Sequence, residues 1–274
     1  MDRWVHEIGH EGQEVKRLQA ALGATTDGVF GPATQQSLQD YQSANNLIVD
    51  GRSGPQTRSS LGIEIYNGID VSHHQGSIDW PTVKSSGLAD FAWVKISEGV
   101  TYQDPKLKIN LSEARASNIP VGGYHFARPD NNDDPKREVD NFVKHCDLRP
   151  GDLRPVFDLE TARKDEPMFT LDWAHEFMTY AELKFGVMPI LYTGGNFLKY
   201  EIRGEVEDLE NYLLWHAYYP RDTSKGIPKS RMFNWDEWRI WQWTASGTIP
   251  GIKGKVDRNW LGGGKRNLDE IIVS

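Results

Sequence analysis

One cysteine, Cys146, stands in a chain of 274 residues. A lone thiol excludes an internal disulfide, so the fold must stand on its core. Its surroundings, FVKHCDL, read as an amphipathic helix with Phe142, Val143 and Cys146 on one face, and a plain buried thiol is expected. Excess positive charge is missing too. Residues 1–62 carry 5 Lys+Arg against 7 Asp+Glu, residues 63–274 carry 26 against 32, and the net charge is −8. No basic stripe suited to nucleic acid or to an anionic membrane surface is present. No apolar run approaches the roughly 18–20 residues of a membrane span. The opening MDRWVHEIGH has no apolar core and no small-residue cleavage site, so no secretory signal is expected. H-E-x-x-H is absent, and no cysteines cluster.

Aromatic residues are abundant: ten Trp, ten Tyr and ten Phe, with six of the Trp after residue 200. Large rings fill cores, and flat rings also stack on sugars; composition leaves both readings open. A repeat is present as well. TDGVFGPATQQSL (26–38) and VDGRSGPQTRSSL (49–61) match at seven of thirteen positions. Asp-Gly marks a turn, and Gly-Pro puts proline in the first turn of a following helix, where its missing N–H costs nothing. Val15, Leu18 and Leu22 form one apolar face and Leu38, Tyr41 and Leu47 another, which predicts three short helices in residues 1–62. The run VKRLQAAL, DGVFGPATQQSLQDYQ, VDGRSGPQTRSSLG resembles the small peptidoglycan-binding domain of cell-wall hydrolases, over residues 9–62.

From residue 66 the pattern changes. Strands are expected at 66–72, 91–96, 121–126, 154–160, 189–193, 212–218, 238–243 and 255–260, with helices at 105–117, 134–146, 170–186 and 195–202. Alternating strand and helix predicts a parallel sheet, and eight strands predict a barrel. The late strands lie too close together for helices between them. The expected fold is therefore α/β: an incomplete (β/α) barrel over 66–274, without helices between its last strands, behind an all-α three-helix domain over 1–62.

Four carboxylates fall at strand ends: Asp70 in GIDVSHHQG, Asp158 and Glu160 in PVFDLE, and Asp257 in KVDRNW. Barrel sites form at the C-terminal ends of several strands. Asp158 and Glu160, two apart on a strand, point to one face. Like charges held close raise at least one pKa, which keeps one carboxyl protonated beside an ionised partner, the pair that glycosidic cleavage needs.

With these motifs in hand, residues 66–274 resemble a glycoside hydrolase family 25 lysozyme. GIDVSHHQG, VKISEG, VGGYHFARP, PVFDLE, PILYTG, LLWHAYY and WRIWQWTASGTIPGIKGKVDRNW follow in order. The resemblance implies an incomplete barrel and hydrolysis of the β-1,4 bond between N-acetylmuramic acid and N-acetylglucosamine. It implies Glu160 as general acid and Asp158 as its partner, either nucleophile or stabiliser of an oxazolinium formed by the substrate's N-acetyl group. Asp70 and Asp257 are implied as flanking acids, and Tyr124 as a residue lining the cleft. Tyr192, Trp215, Tyr218 and Gln242 fall in motifs that line the sugar groove. Where the family often has Lys-Ala-Thr-Glu-Gly, this chain has Lys95-Ile96-Ser97-Glu98-Gly99. Glu98 stands between a substrate contact and a structural role.

His73-His74 beside Asp70 opens the alternative of a metal-dependent amidase, but hydrogen bonding at the barrel rim is the stronger expectation. Of Trp241 and Trp243, which share a face opposite Gln242, at least one is expected in the core. No metal or cofactor is expected, the partner is peptidoglycan, and a monomer is expected. The alternatives are a glycan-binding barrel without catalysis and a bacterial muramidase effector. The modular plan without an export signal resembles a phage endolysin, made in the host cytoplasm and reaching the wall through a holin.

Overall fold

The computed structural model describes residues 5–203, 206 and 208–274. Residues 1–4 of the expected first domain lie outside them. Three helices come first: α1 (Gln13–Ala21), α2 (Pro32–Ala44) and α3 (Pro55–Leu61). Pro32 and Pro55 each open their helix, as the Gly-Pro repeat predicts. Val15, Leu18, Phe30 and Leu38 form their core. Gly28 and Gly51 sit at φ +80° and +66°, the left-handed region that the two Asp-Gly turns require.

The repeat runs deeper than its obvious letters. Gln19 Oε1 accepts from Gly28 N at 2.8 Å, and its Nε2 lies within 3.1 Å of Asp27 Oδ1, Val29 O and Thr34 Oγ1. Gln42 repeats this on Gly51 N, Asp50 Oδ1, Arg52 O and Thr57 Oγ1, at 3.0–3.2 Å. Each buried amide thus staples one turn to the helix before it and the helix after it.

The remaining elements are β1 (Tyr66–Val71), α4 (Trp80–Ser86), β2 (Phe91–Glu98), β3 (Tyr102–Gln103), α5 (Leu107–Ala116), β4 (Val121–Phe126), α6 (Pro135–His145), β5 (Val156–Asp158), α7 (Pro167–Phe185), β6 (Ile190–Gly194), α8 (Gly195–Tyr200), β7 (Leu214–Ala217), β8 (Ile240–Gly247), β9 (Val256–Leu261) and α9 (Gly264–Glu270). The strand order is β1-β9-β8-β7-β6-β5-β4-β2-β3, and β1 pairs with β2 to close eight strands into a barrel. α4 and α9 join the four helices expected from the sequence. Within the closed barrel β9 departs from the parallel arrangement, antiparallel to β8 and β1, and outside it the two-residue β3 pairs antiparallel with β2. The short link from β8 allows a hairpin but not the dozen or more residues of a parallel crossover.

Alternation sorts the side chains. Phe91 and Trp93, Val156, Ile190 and Tyr192, Trp215, Ile240 and Leu261 point into the barrel. Ala92, Val94, Ile96, Phe157, Leu191, Leu214 and Trp241 point outward to the larger core. Two glycines make room inside. A Cβ on Gly68 would lie 2.0 Å from the Phe91 ring, and one on Gly122 would lie 2.7 Å from Trp93 Nε1. Cys146 packs at the edge of the outer core, and burial pushes its thiol up to about 12, which leaves it un-ionised and a poor nucleophile.

Candidate active site

The inward positions that the core does not fill lead upward to one cavity of about 290 Å³ at the barrel mouth. Asp70 (β1), Asp158 (the end of β5), Glu160 just beyond it, and Asp257 (β9) all line it. Asp257 opens its strand rather than closing it. Because β9 runs antiparallel, its start reaches the same mouth, and Asp257 stands opposite Asp70 in register.

Asp70 is buried and accepts two hydrogen bonds on Oδ2, from Gln242 Nε2 at 2.9 Å and Asn259 Nδ2 at 2.8 Å. Both amides are themselves oriented. Trp215 Nε1 donates to Asn259 Oδ1 at 2.8 Å, and Tyr192 Oη donates to Gln242 Oε1 at 2.8 Å, joined there by Tyr219 Oη. Indole and phenol protons fix the amide oxygens, so the amide N–H groups must face Asp70. Burial and the neighbouring Asp257 outweigh these donors and raise Asp70 to about 8. Burial and Glu160 raise Asp257 to about 6.

Asp158 lies on the floor, buried, while Glu160 stands on the open side. Burial and Glu160 push Asp158 well above the carboxylate range. Burial and Asp70 raise Glu160, opposed by a hydrogen bond with Asp158 and by Lys95. Two carboxyl groups in hydrogen-bonding contact share at least one proton. Asp158 Oδ1 has no hydrogen-bond partner and is buried.

Tyr124, Tyr192, Trp215 and Gln242 line the cavity, with Trp215 only 2% exposed, beneath the floor rather than along an open groove. Tyr218 does not reach it. Three residues from Trp215, it falls on the opposite face and packs in the outer core, and Tyr219 takes the inward position. Glu98 also stays outside the cavity, pairing with Lys95 Nζ at 2.7 Å and Arg128 Nη1 at 2.9 Å. Burial works against its charge, yet those two cations hold it below the ordinary range. Lys95, Phe126 and Tyr219 line the cavity and were missed, and His74, expected only at the barrel rim, lines it too. Steps of two along the strands, from Trp93 to Lys95, Tyr124 to Phe126 and Ala217 to Tyr219, would have found three of them. His73 turns aside to Asp104, with Nδ1 at 2.7 Å from Oδ2.

The sequence matches a putative peptidoglycan binding domain over residues 11–61 and glycosyl hydrolases family 25 over residues 69–252. Lysozyme M1 of Streptomyces globisporus is 29% identical over 83% of this chain and 79% of its own length. The autolytic lysozyme of Clostridium acetobutylicum is 30% identical over 69% of this chain and 54% of its own. The bacterial lysozyme structure from Streptomyces coelicolor superposes with a TM-score of 0.68 at 27% identity, over 76% of this chain and 96% of that one. The chain belongs to glycosyl hydrolases family 25 and carries its catalytic barrel behind a peptidoglycan-binding domain.

Proposed function

We propose that the protein is a muramidase that cleaves the β-1,4 bond between N-acetylmuramic acid and N-acetylglucosamine, with residues 1–62 as a wall-binding domain and residues 66–274 as the catalytic domain. The observation that carries this is the Asp158–Glu160 pair in one cavity, one carboxyl buried on its floor and one on its open side. Glu160 gives the proton to the glycosidic oxygen as the C1–O bond breaks. The shared proton leaves with it, and Asp158 remains as an anion beside the cation developing at C1. From the cavity floor it faces the substrate's acetamido group and steadies the charge that group takes on as it closes on C1. Water then completes the hydrolysis, with Glu160 taking the proton back. Asp70, raised to about 8, stays protonated at neutral pH and keeps its own negative charge from crowding this pair before substrate arrives. Tyr124, Tyr192, Gln242 and Tyr219 are placed to contact the sugar. The setting we propose is lysis of a bacterial wall by a monomer released to it, as by a phage holin.

The test is product analysis of purified peptidoglycan digested by the wild type and by Glu160→Gln. New reducing N-acetylmuramic acid is expected from the wild type, reduced ~10²–10⁴-fold in the variant, the range a positioned general acid contributes, while pelleting with the wall persists. No new reducing ends from either protein would refute the reading, and free stem peptides in their place would make the protein an amidase.

A further inference from the structure

The connection between β7 and β8, residues 218–239, has only single helical turns of its own at Thr223–Lys225 and Lys229–Arg231. Connections beyond about 12–15 residues without regular structure are uncommon and carry function when they occur. Near its start stands Tyr219, whose hydroxyl reaches Gln242 in the cavity, and near its end Trp238, which packs edge-on against Trp241, the neighbour of Gln242. The segment entering α1 and the first turns of that helix grip it at two separate places. In the middle, Glu11 N donates to Ser224 O at 2.8 Å, and Lys225 Nζ reaches Gly9 O at 3.1 Å and Glu11 Oε1 at 2.8 Å. There Gly12 and Gly226 pack backbone to backbone, since a Cβ on Gly226 would lie 3.1 Å from Glu11 O. At the end, Gln13 exchanges two hydrogen bonds with the Trp238 backbone, at 2.9 and 3.0 Å. Arg17 pairs with Glu237 at 2.7 Å and lies 5.6 Å from the Trp238 ring centroid.

Wall binding alone asks for none of this; a tether would serve. From this arrangement we infer that the N-terminal domain is also a positioning element for catalysis: its Gly9–Arg17 edge clamps the β7–β8 connection and thereby holds Tyr219 and Gln242 in the sugar site. Gln13 is the central positioning residue, because its reciprocal pair with Trp238 fixes the backbone two residues before β8 begins. The inference rests on the muramidase reading for its substrate. It says that the domain matters even for glycan fragments too short to be held by wall binding.

The experiment uses the full chain with Gln13→Ala, Tyr219→Phe and the double variant, assayed on soluble peptide-free wall glycan fragments. Gln13→Ala is expected to lower kcat/KM about fivefold, the order of one neutral hydrogen bond lost, mainly through KM, with wall pelleting unchanged. In the Tyr219→Phe background the same substitution is expected to cost less than about twofold, because the two act through one contact. Hydrogen exchange across 218–227 is expected to quicken in Gln13→Ala while α7 stays protected. Wild-type turnover of fragments by Gln13→Ala, an equal loss with and without the Tyr219 hydroxyl, or unchanged exchange would each overturn the inference. A wild type that itself yields no reducing ends would instead sink the muramidase reading, and the exchange measurement would still judge the clamp.

Discussion

Replacing Asp70 with asparagine should stabilise the protein at alkaline pH while removing activity. The unfolded chain releases the Asp70 proton near 3.8, whereas the folded chain holds it to about 8. Between those values the folded state binds the extra proton, so stability falls as pH rises, and the loss is complete above about 8. Four units at about 1.4 kcal/mol each set a ceiling of roughly 5–6 kcal/mol. Asp257 shares the repulsion behind that shift, so about half, 2–3 kcal/mol, is a fair assignment to Asp70 alone. Asparagine keeps an oxygen for the Gln242 and Asn259 donors and turns an N–H₂ toward Asp257. Near pH 4 the wild type is already neutral at this position, and the two proteins should melt together. At pH 8.5 the variant should melt about 5–10 °C higher, at roughly 2–4 °C per kcal/mol for a chain of this size. Thermal melts of both proteins from pH 4 to 9 provide the assay. Parallel melting curves across that range would refute the reasoning, because they would mean that Asp70 is charged in the fold at no cost.

On soluble glycan fragments, kcat/KM should follow a bell in pH, with the alkaline limb displaced above the ordinary carboxylate range because Glu160 and Asp158 are both raised; a flat profile from pH 4 to 9 would remove the proton donor. Tyr219→Phe should raise KM about fivefold with little change in melting, while Tyr218→Ala should do the reverse, losing about 3 kcal/mol of stability through its place in the outer core; equal kinetic effects would contradict the assignment of faces. Gln19→Ala and Gln42→Ala should each cost about 1–3 kcal/mol, since each strands a buried glycine N–H. Chemical denaturation followed by wall pelleting would report this, and neutral melts for both would show the staples to be dispensable.

Much of the site was legible because a strand's period of two is rigid. Asp158 and Glu160 keep one face even though β5 ends at Asp158, and Leu159 between them packs outward. The same rule places Tyr218 and Trp215, three apart, on opposite faces, so motif membership misled where counting would not have. Asp257 was legible as a strand-end acid, but its end was not, because direction depends on the length of the link before it. α4 and α9, seven residues each, went unseen: neither has the repeated Gly-Pro start that marked the equally short α3. The Gln19 and Gln42 staples lie outside the repeated letters, yet QAA and QSA stand at the same offset of 23 and carry the signal. The clamp on the β7–β8 connection left no trace, since it joins residues more than two hundred positions apart.

The tryptophan excess has its answer in the helices that are missing. In a full (β/α) barrel an outer helix covers each strand's outward face. β7, β8 and β9 follow one another with only single turns between, so their outward faces need another cover. Trp241 and Trp260 meet edge-on at 5.4 Å, Trp243 stacks on Trp260 at 4.7 Å, and Trp238 meets Trp241 at 5.8 Å. Trp235 closes the patch, its Nε1 donating to Tyr212 O at 3.1 Å. Of the six tryptophans after residue 200, only Trp215 faces into the barrel. The other five form a layer of rings where a helix would lie, each large enough to bury some 150–250 Å². Composition could not separate core from sugar platform, but topology does: a barrel short of helices must thatch its own strands. The N-terminal domain then seats α1 against the start of that thatch, at Trp238, where a complete barrel would have had a helix in the way.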